Sequence, residues 1–367
     1  MRLGVDIGGT KVLGVLVDEE HRVVARSRLA TPQGMTSGGR PDVRSDGPQA
    51  PGALGSGGAP SGIAREVVEV VARVVSELDP EGAQGAVALG VGAPGMVDER
   101  GVIRFSPNLP ALTGADLPTM LAARLPGREV VAGNDATCAT SAEHALGAGR
   151  GARNMMMVTL GTGIGGGFVV DGNVVTGVTG FAGEVGHMVV DRNGPPCPCG
   201  GRGCWERYAS GGGLGRMARD AAAAGLLPEV VSIAGGDPES VRGEHVTDAA
   251  VAGDAGARRV LEDAGWWLAL GLANLTALLD PERIVVGGGL AAAGEVLMGP
   301  ARQAFSSLVE GGGTRPEVAI LPAALGEEAG AIGAALLAGP AHRTEARRGM
   351  RRLADRVRAS RGQRSGA

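Results

Sequence analysis

The 367 residues are 44% hydrophobic and 20% charged, the balance of a soluble globular chain long enough for two or three domains. Aromatic residues make up only 2% and glycines number 66, so the core must come from Val, Leu, Ile, Ala and Met, and an aromatic platform for carbohydrate is excluded. The net charge of −4 divides unevenly: residues 341–367 carry nine arginines against Glu345 and Asp355, and the remainder holds 26 basic and 37 acidic residues, which speaks against general nucleic-acid binding.

The run Arg2 to Val17 alternates apolar stretches with glycines and ends in acidic residues, so it reads as strand, glycine turn, strand. Residues 31–62 contain nine glycines, five prolines and four serines and read as a flexible insertion. From Ile63 to Leu78 the residues Val67, Val70, Val71, Val74, Val75 and Leu78 recur at helical spacing, and Ala86 to Val91 reads as a buried strand. Further strands are expected at Met155–Leu160 and Arg283–Val286, an apolar helix at Trp266–Leu279 and an alanine-rich helix at Ala329–Leu337. Alternating strands and helices imply an α/β fold. In the basic tail, Ala346, Met350, Leu353 and Val357 recur at helical spacing, but the apolar face is narrow and a solvated extension is expected. No stretch of about 18 uncharged apolar residues occurs and the N-terminus does not read as a signal peptide, so a cytoplasmic protein with no membrane partner is expected.

Two strand-to-glycine loops have the character of phosphate cradles, in which backbone N–H groups approach an anion closely. In the first, Asp6 to Thr10, the carboxylate of Asp6 is suited to hold Mg²⁺ through water, and Gly8, Gly9 and Thr10 to bind phosphate oxygens, with Lys11 adding a point charge. The second, Gly161 to Gly167, offers Thr162 and Gly163. Their likeness suggests two related lobes. Neither loop fits the Walker or dinucleotide pattern. A third run, Gly287–Gly289, lets a flat base lie against Gly288 and Gly289 or simply lets two elements pack closely.

His187, Cys197, Cys199 and Cys204 stand at spacings of ten, two and five in a loop rich in glycine and proline. Three thiolates and one imidazole suit tetrahedral Zn²⁺, and a site with four protein ligands is structural. Cys138 lies in an apolar stretch and reads as a core residue.

These segments together, with Ala182 to Met188 and Cys197 to Glu206, resemble the ROK family of sugar kinases and sugar-responsive repressors, over residues 3 to about 338 apart from the insertion, and within it the zinc-containing glucokinases. The resemblance implies a two-lobed, actin-like ATPase (ribonuclease H-like) α/β fold with a zinc-binding loop and with sugar and ATP in the cleft. It implies an N-terminal lobe at 1–122 completed by the helix near 325–338, and a C-terminal lobe at 123–324 with its zinc loop at 187–204. It implies phosphorylation of glucose at the 6-hydroxyl by ATP with Mg²⁺, with N-acetylglucosamine, N-acetylmannosamine or fructose as alternative substrates, in a homodimer or homotetramer. Asp135 matches the family's catalytic aspartate. Asn108, Asn134, Glu184, His187 and Glu206 match its sugar contacts, His187 serving zinc with one nitrogen and sugar with the other. Gly133 and Thr137 depart from the residues usual beside Asn-Asp-Ala. Family repressors carry a helix-turn-helix before the first glycine loop; here that loop begins at residue 6, so a kinase is expected rather than a sugar sensor.

Overall fold

The computed structural model describes residues 1–32, 61–82 and 88–339, so most of the insertion and the basic tail lie outside the described residues. The chain opens with the strands β1 (Arg2–Ile7), β2 (Lys11–Val17) and β3 (Val23–Ala30), followed by the helix α1 (Gly62–Leu78). Then come β4 (Ala88–Ala93), the short hairpin β5 (Met96–Val97) and β6 (Ile103–Phe105), α2 (Leu117–Arg124), β7 (Glu129–Asn134) and α3 (Asp135–Leu146). A second series holds β8 (Met155–Leu160), β9 (Ile164–Val170) and β10 (Asn173–Val175), then α4 (Glu206–Ala209), α5 (Gly211–Ala223), α6 (Pro228–Ile233), α7 (Gly243–Ala252) and α8 (Ala255–Leu279). It closes with β11 (Arg283–Gly287), α9 (Glu295–Leu308), β12 (Ala319–Pro322) and α10 (Ala329–Leu337).

The two large sheets repeat one plan. The first runs β3-β2-β1-β4-β7 and the second β10-β9-β8-β11-β12. In each, three strands form an antiparallel meander; its innermost strand pairs in parallel with the first of the two later strands, which in turn pairs in parallel with the second. Two lobes of one topology account for the similar glycine loops, since each follows the first strand of its meander.

Local sequence explains the well-formed helices. In α1, Val67, Val71, Val74 and Val75 are buried against the first sheet, and the Ser61 hydroxyl caps the helix by accepting from the Ala64 N–H at 3.1 Å. Helix α10 lies across the other face of that sheet. Its alanines and glycines allow an approach so close that a Cβ at Gly90 would stand 1.7 Å from the Ala334 carbonyl oxygen. The expected apolar helix at Trp266–Leu279 is the second half of the 25-residue α8. No helix among the described residues is long and apolar enough to cross a membrane.

The lobe boundary differs from the expected one. Residue 122 falls inside α2, and β7 hydrogen-bonds in parallel to β4, so the first sheet runs through Asn134. Strand partnership is non-local and leaves no mark in the sequence of Glu129–Asn134 itself. Helices α3 and α10 pack against each other between the sheets.

Candidate active site and metal centre

Strand β7 ends at Asn134, which caps α3. Its Oδ1 accepts from the Thr137 N–H at 2.9 Å, and its Nδ2 donates to the Gly95 carbonyl at 3.1 Å. Asp135 is thereby the first residue of the helix, its Oδ1 accepting from the Ala136 N–H at 2.8 Å. Asp6, near the end of β1, stands beside it: a Cβ at Gly92 would come within 3.4 Å of Asp6 Oδ1 and 3.5 Å of the Asp135 Cα. Burial pushes the Asp135 carboxyl up to about 7, with the charge of Asp6 and then of Glu184 adding and the Ala136 N–H opposing. Asp6 is pushed up to about 6, again by burial, with Lys11 opposing. A helix N-terminus favours a carboxylate, so desolvation and two neighbouring acids outweigh it here.

The other acids arrive from the second lobe. His187 closes a short turn, Val185–His187, with Nε2 3.8 Å from Glu184 Oε2 and Nδ1 3.8 Å from Glu206 Oε1. Burial raises Glu184, with His187 opposing and Glu206 adding. A Cβ at Gly163 would lie 2.4 Å from Glu206 Oε2 and 3.5 Å from Asn108 Nδ2, so the bare backbone of the second glycine loop lets Asn108 of one lobe approach Glu206 of the other. Asp135, Asn108, Glu184, His187 and Glu206 thus form one carboxylate-rich constellation with donors and acceptors for a polyhydroxylated ligand.

His187, Cys197, Cys199 and Cys204 are brought together, their ligand atoms all within 4.8 Å of one another. The Cys199 and Cys204 sulphurs are 3.6 Å apart, and Cys197 Sγ is 3.7 Å from His187 Nδ1. Tetrahedral zinc with Zn–S bonds of about 2.3 Å requires sulphurs about 3.8 Å apart, so the residues fit the metal. Burial pushes the Cys197 thiol up, and Cys204 up to about 11, so thiolates here require a cation to balance them. Because Nδ1 faces the sulphurs, Nε2 is left towards Glu184.

Several residues that sequence reading passed over support this centre. Trp205, between Cys204 and Glu206, is fully buried and donates from Nε1 to the Trp267 carbonyl at 2.7 Å. Gly271 makes room for it, since a Cβ there would stand 2.0 Å from the indole. The Tyr208 hydroxyl donates to Asp191 at 2.8 Å while its ring stacks on Trp267.

The residues expected to bind phosphate fare less uniformly. The Gly8 N–H donates to the Lys11 carbonyl at 2.9 Å, so it serves the hairpin rather than an anion. Lys11 pairs with Glu327, so its charge is directed to the lead-in of α10. Gly9 and Thr10 are exposed at the turn. Gly288 has φ of 89° and crosses the Leu160 backbone so closely that a Cβ would stand 2.5 Å from its carbonyl oxygen, so its role is packing, while Gly289 faces open space. Asn134, expected among the sugar contacts, uses its side chain to cap α3 and bind Gly95, with one N–H and one acceptor lone pair left over. Cys138 is buried as expected.

The sequence model of the ROK family matches residues 59–340. A glucokinase of Streptomyces coelicolor is 34% identical over 345 residues, covering 92% of this chain and 97% of that protein. An N-acetylmannosamine kinase of Citrobacter koseri is 34% identical over 342 residues, covering 92% and 98%. Among solved structures, a ROK family glucokinase from Streptomyces griseus in complex with glucose and AMPPNP superposes with a TM-score of 0.76 at 34% identity, covering 92% of this chain and 98% of that one.

Proposed function

This chain belongs to the ROK family, and from that premise we propose that it transfers the γ-phosphoryl group of ATP to the 6-hydroxyl of glucose. The observation that carries the reading is the single constellation of Asp135, Asn108, Glu184, His187 and Glu206 at a junction between lobes, with Asp135 pushed up to about 7. A base that titrates near neutrality is matched to its task. Asn108, Glu184, His187 and Glu206 hold the sugar hydroxyls, and Asn134 acts chiefly by fixing the first turn of α3. Asp135 takes the proton of the attacking 6-hydroxyl as the oxygen bonds to the γ-phosphorus and the bond from that phosphorus to the leaving oxygen of ADP breaks. Gly9, Thr10, Thr162, Gly163 and Gly289 line the approach of the nucleotide.

Mg²⁺ carried with ATP supplies neutralisation of phosphate charge, and Asp6 is the acid placed to hold it. Cys197, Cys199, Cys204 and His187 would hold zinc, which would supply a fixed tautomer and direction for the imidazole, leaving Nε2, on the Glu184 side, for the sugar.

Release of ADP measured across glucose, N-acetylglucosamine, N-acetylmannosamine, mannose and fructose tests the substrate. Glucose is expected to give the highest kcat/KM; a higher value for N-acetylmannosamine would assign the chain to that other activity. With the best sugar, kcat/KM should rise with pH to a plateau, with its midpoint near 7, because the protonated Asp135 cannot accept a proton. A profile flat from pH 5.5 to 8.5 would remove Asp135 from the role of base.

A further inference from the structure

The chain crosses between the two sheets twice. It leaves β7 of the first sheet through α3 to reach β8 of the second, and it returns from β12 of the second to α10, which packs on the first. The two crossings meet at Glu143, a residue of α3 with no solvent exposure. Its Oε2 accepts from the Ala148 N–H at 2.8 Å and the Ala324 N–H at 3.1 Å, and its Oε1 from the Leu325 N–H at 2.7 Å. Its backbone carbonyl accepts from Gly147 and Gly149 at 3.0 and 2.9 Å. A Cβ at Gly147 would stand 2.0 Å from Glu143 Oε2, so a glycine is what admits the carboxylate.

We infer that Glu143 is a positioning residue that holds the two inter-lobe crossings in register and thereby sets the catalytic acids of the first lobe against the groups supplied by the second. Upstream on the same helix is Asp135. Downstream of Leu325, the first turn of α10 presses on Asp6: a Cβ at Gly330 would lie 2.7 Å from Asp6 Oδ2. One buried carboxylate therefore governs the backbone that places both acids of the cleft. The segment it grips is also held from outside, Glu327 by Lys11 and Glu328 by Arg26, but those pairs are partly exposed and contribute little beside charge-assisted bonds in the interior. Misplacement of reacting groups by about 1 Å costs about 100-fold in rate, so loosening this junction lowers turnover before it unfolds either lobe.

The inference rests on the kinase reading, so the wild-type chain is assayed first: a wild type that phosphorylates no sugar removes the kinase reading, and hydrogen exchange still tests the junction. The variants are Glu143→Gln, which keeps the shape but replaces one acceptor oxygen by a donor, and Val71→Ala, a core control in α1 remote from the site. In Glu143→Gln, kcat is expected to fall at least about tenfold with the glucose dissociation constant within about threefold. Backbone amides of residues 323–326 should exchange at least about tenfold faster. In Val71→Ala both stay near the wild-type values. If Glu143→Gln does not fold, Glu143→Asp carries the same criteria. A kcat within about twofold of wild type, unchanged exchange at 323–326, or an equal loss of kcat in Val71→Ala at matched thermal stability would overturn the inference.

Discussion

Replacing Asp135 by Asn lowers kcat by roughly 10²–10⁴-fold, the contribution of a positioned general base, while glucose still binds. The geometry survives the change, because the oxygen that accepts from the Ala136 N–H is retained and the Asn134 cap is untouched. Steady-state kinetics and direct titration of glucose together check this; undiminished turnover would strike Asp135 from the mechanism. The same variant has an opposite effect on stability. The folded chain binds the Asp135 proton up to about pH 7, whereas the unfolded chain releases it near 3.8, so the wild type loses stability as pH rises between these values and does not recover it above 7. An uncharged amide escapes that loss. Above pH 7, Asp135→Asn is therefore expected to melt at a higher temperature than wild type, and the difference should shrink towards pH 4. A lower Tm for the variant at pH 8 would show that the carboxylate is stabilised by its surroundings instead.

Loss of the metal has the second large effect. In Cys199→Ser, a ligand 3.6 Å from Cys204 Sγ becomes a hydroxyl with little affinity for zinc, and metal content measured by atomic emission is expected to fall well below that of wild type. Because His187 Nδ1 faces the cluster and Nε2 faces Glu184, freeing the ring should raise the KM for glucose by about 10–100-fold, the usual range when the supports of a metal-linked ligand are removed. The KM for ATP should change much less, since no residue assigned to the nucleotide touches the cluster. Purified wild-type protein without zinc, or metal-free protein that binds glucose equally well, would end this account.

What sequence alone determined were the features set within a few residues. The valine periodicity from Ile63 to Leu78 and the alanine run Ala329–Leu337 mark helices that the fold contains with almost unchanged limits, because helical hydrogen bonds and caps close over four residues. The cluster of His187, Cys197, Cys199 and Cys204 was legible for a similar reason: three of its ligands fall in eight residues whose three glycines and one proline allow little but a tight loop. The acids Asp135, Glu184 and Glu206 were recognised from their local motifs. Their meeting around His187 and beside Asp6 required two sheets to fold first. Only the tertiary structure decided that β7 belongs to the first sheet, that Lys11 spends its charge on Glu327, and that Gly288 is a crossing point over Leu160. Glu143 is the clearest case. On its own helix it looks like any solvent-facing acid, and two of the N–H groups it binds lie 181 and 182 residues further along the chain. Hydrogen bonds between distant segments depend on where whole lobes come to rest, and the side chains that make them carry no trace of their partners in the residues around them.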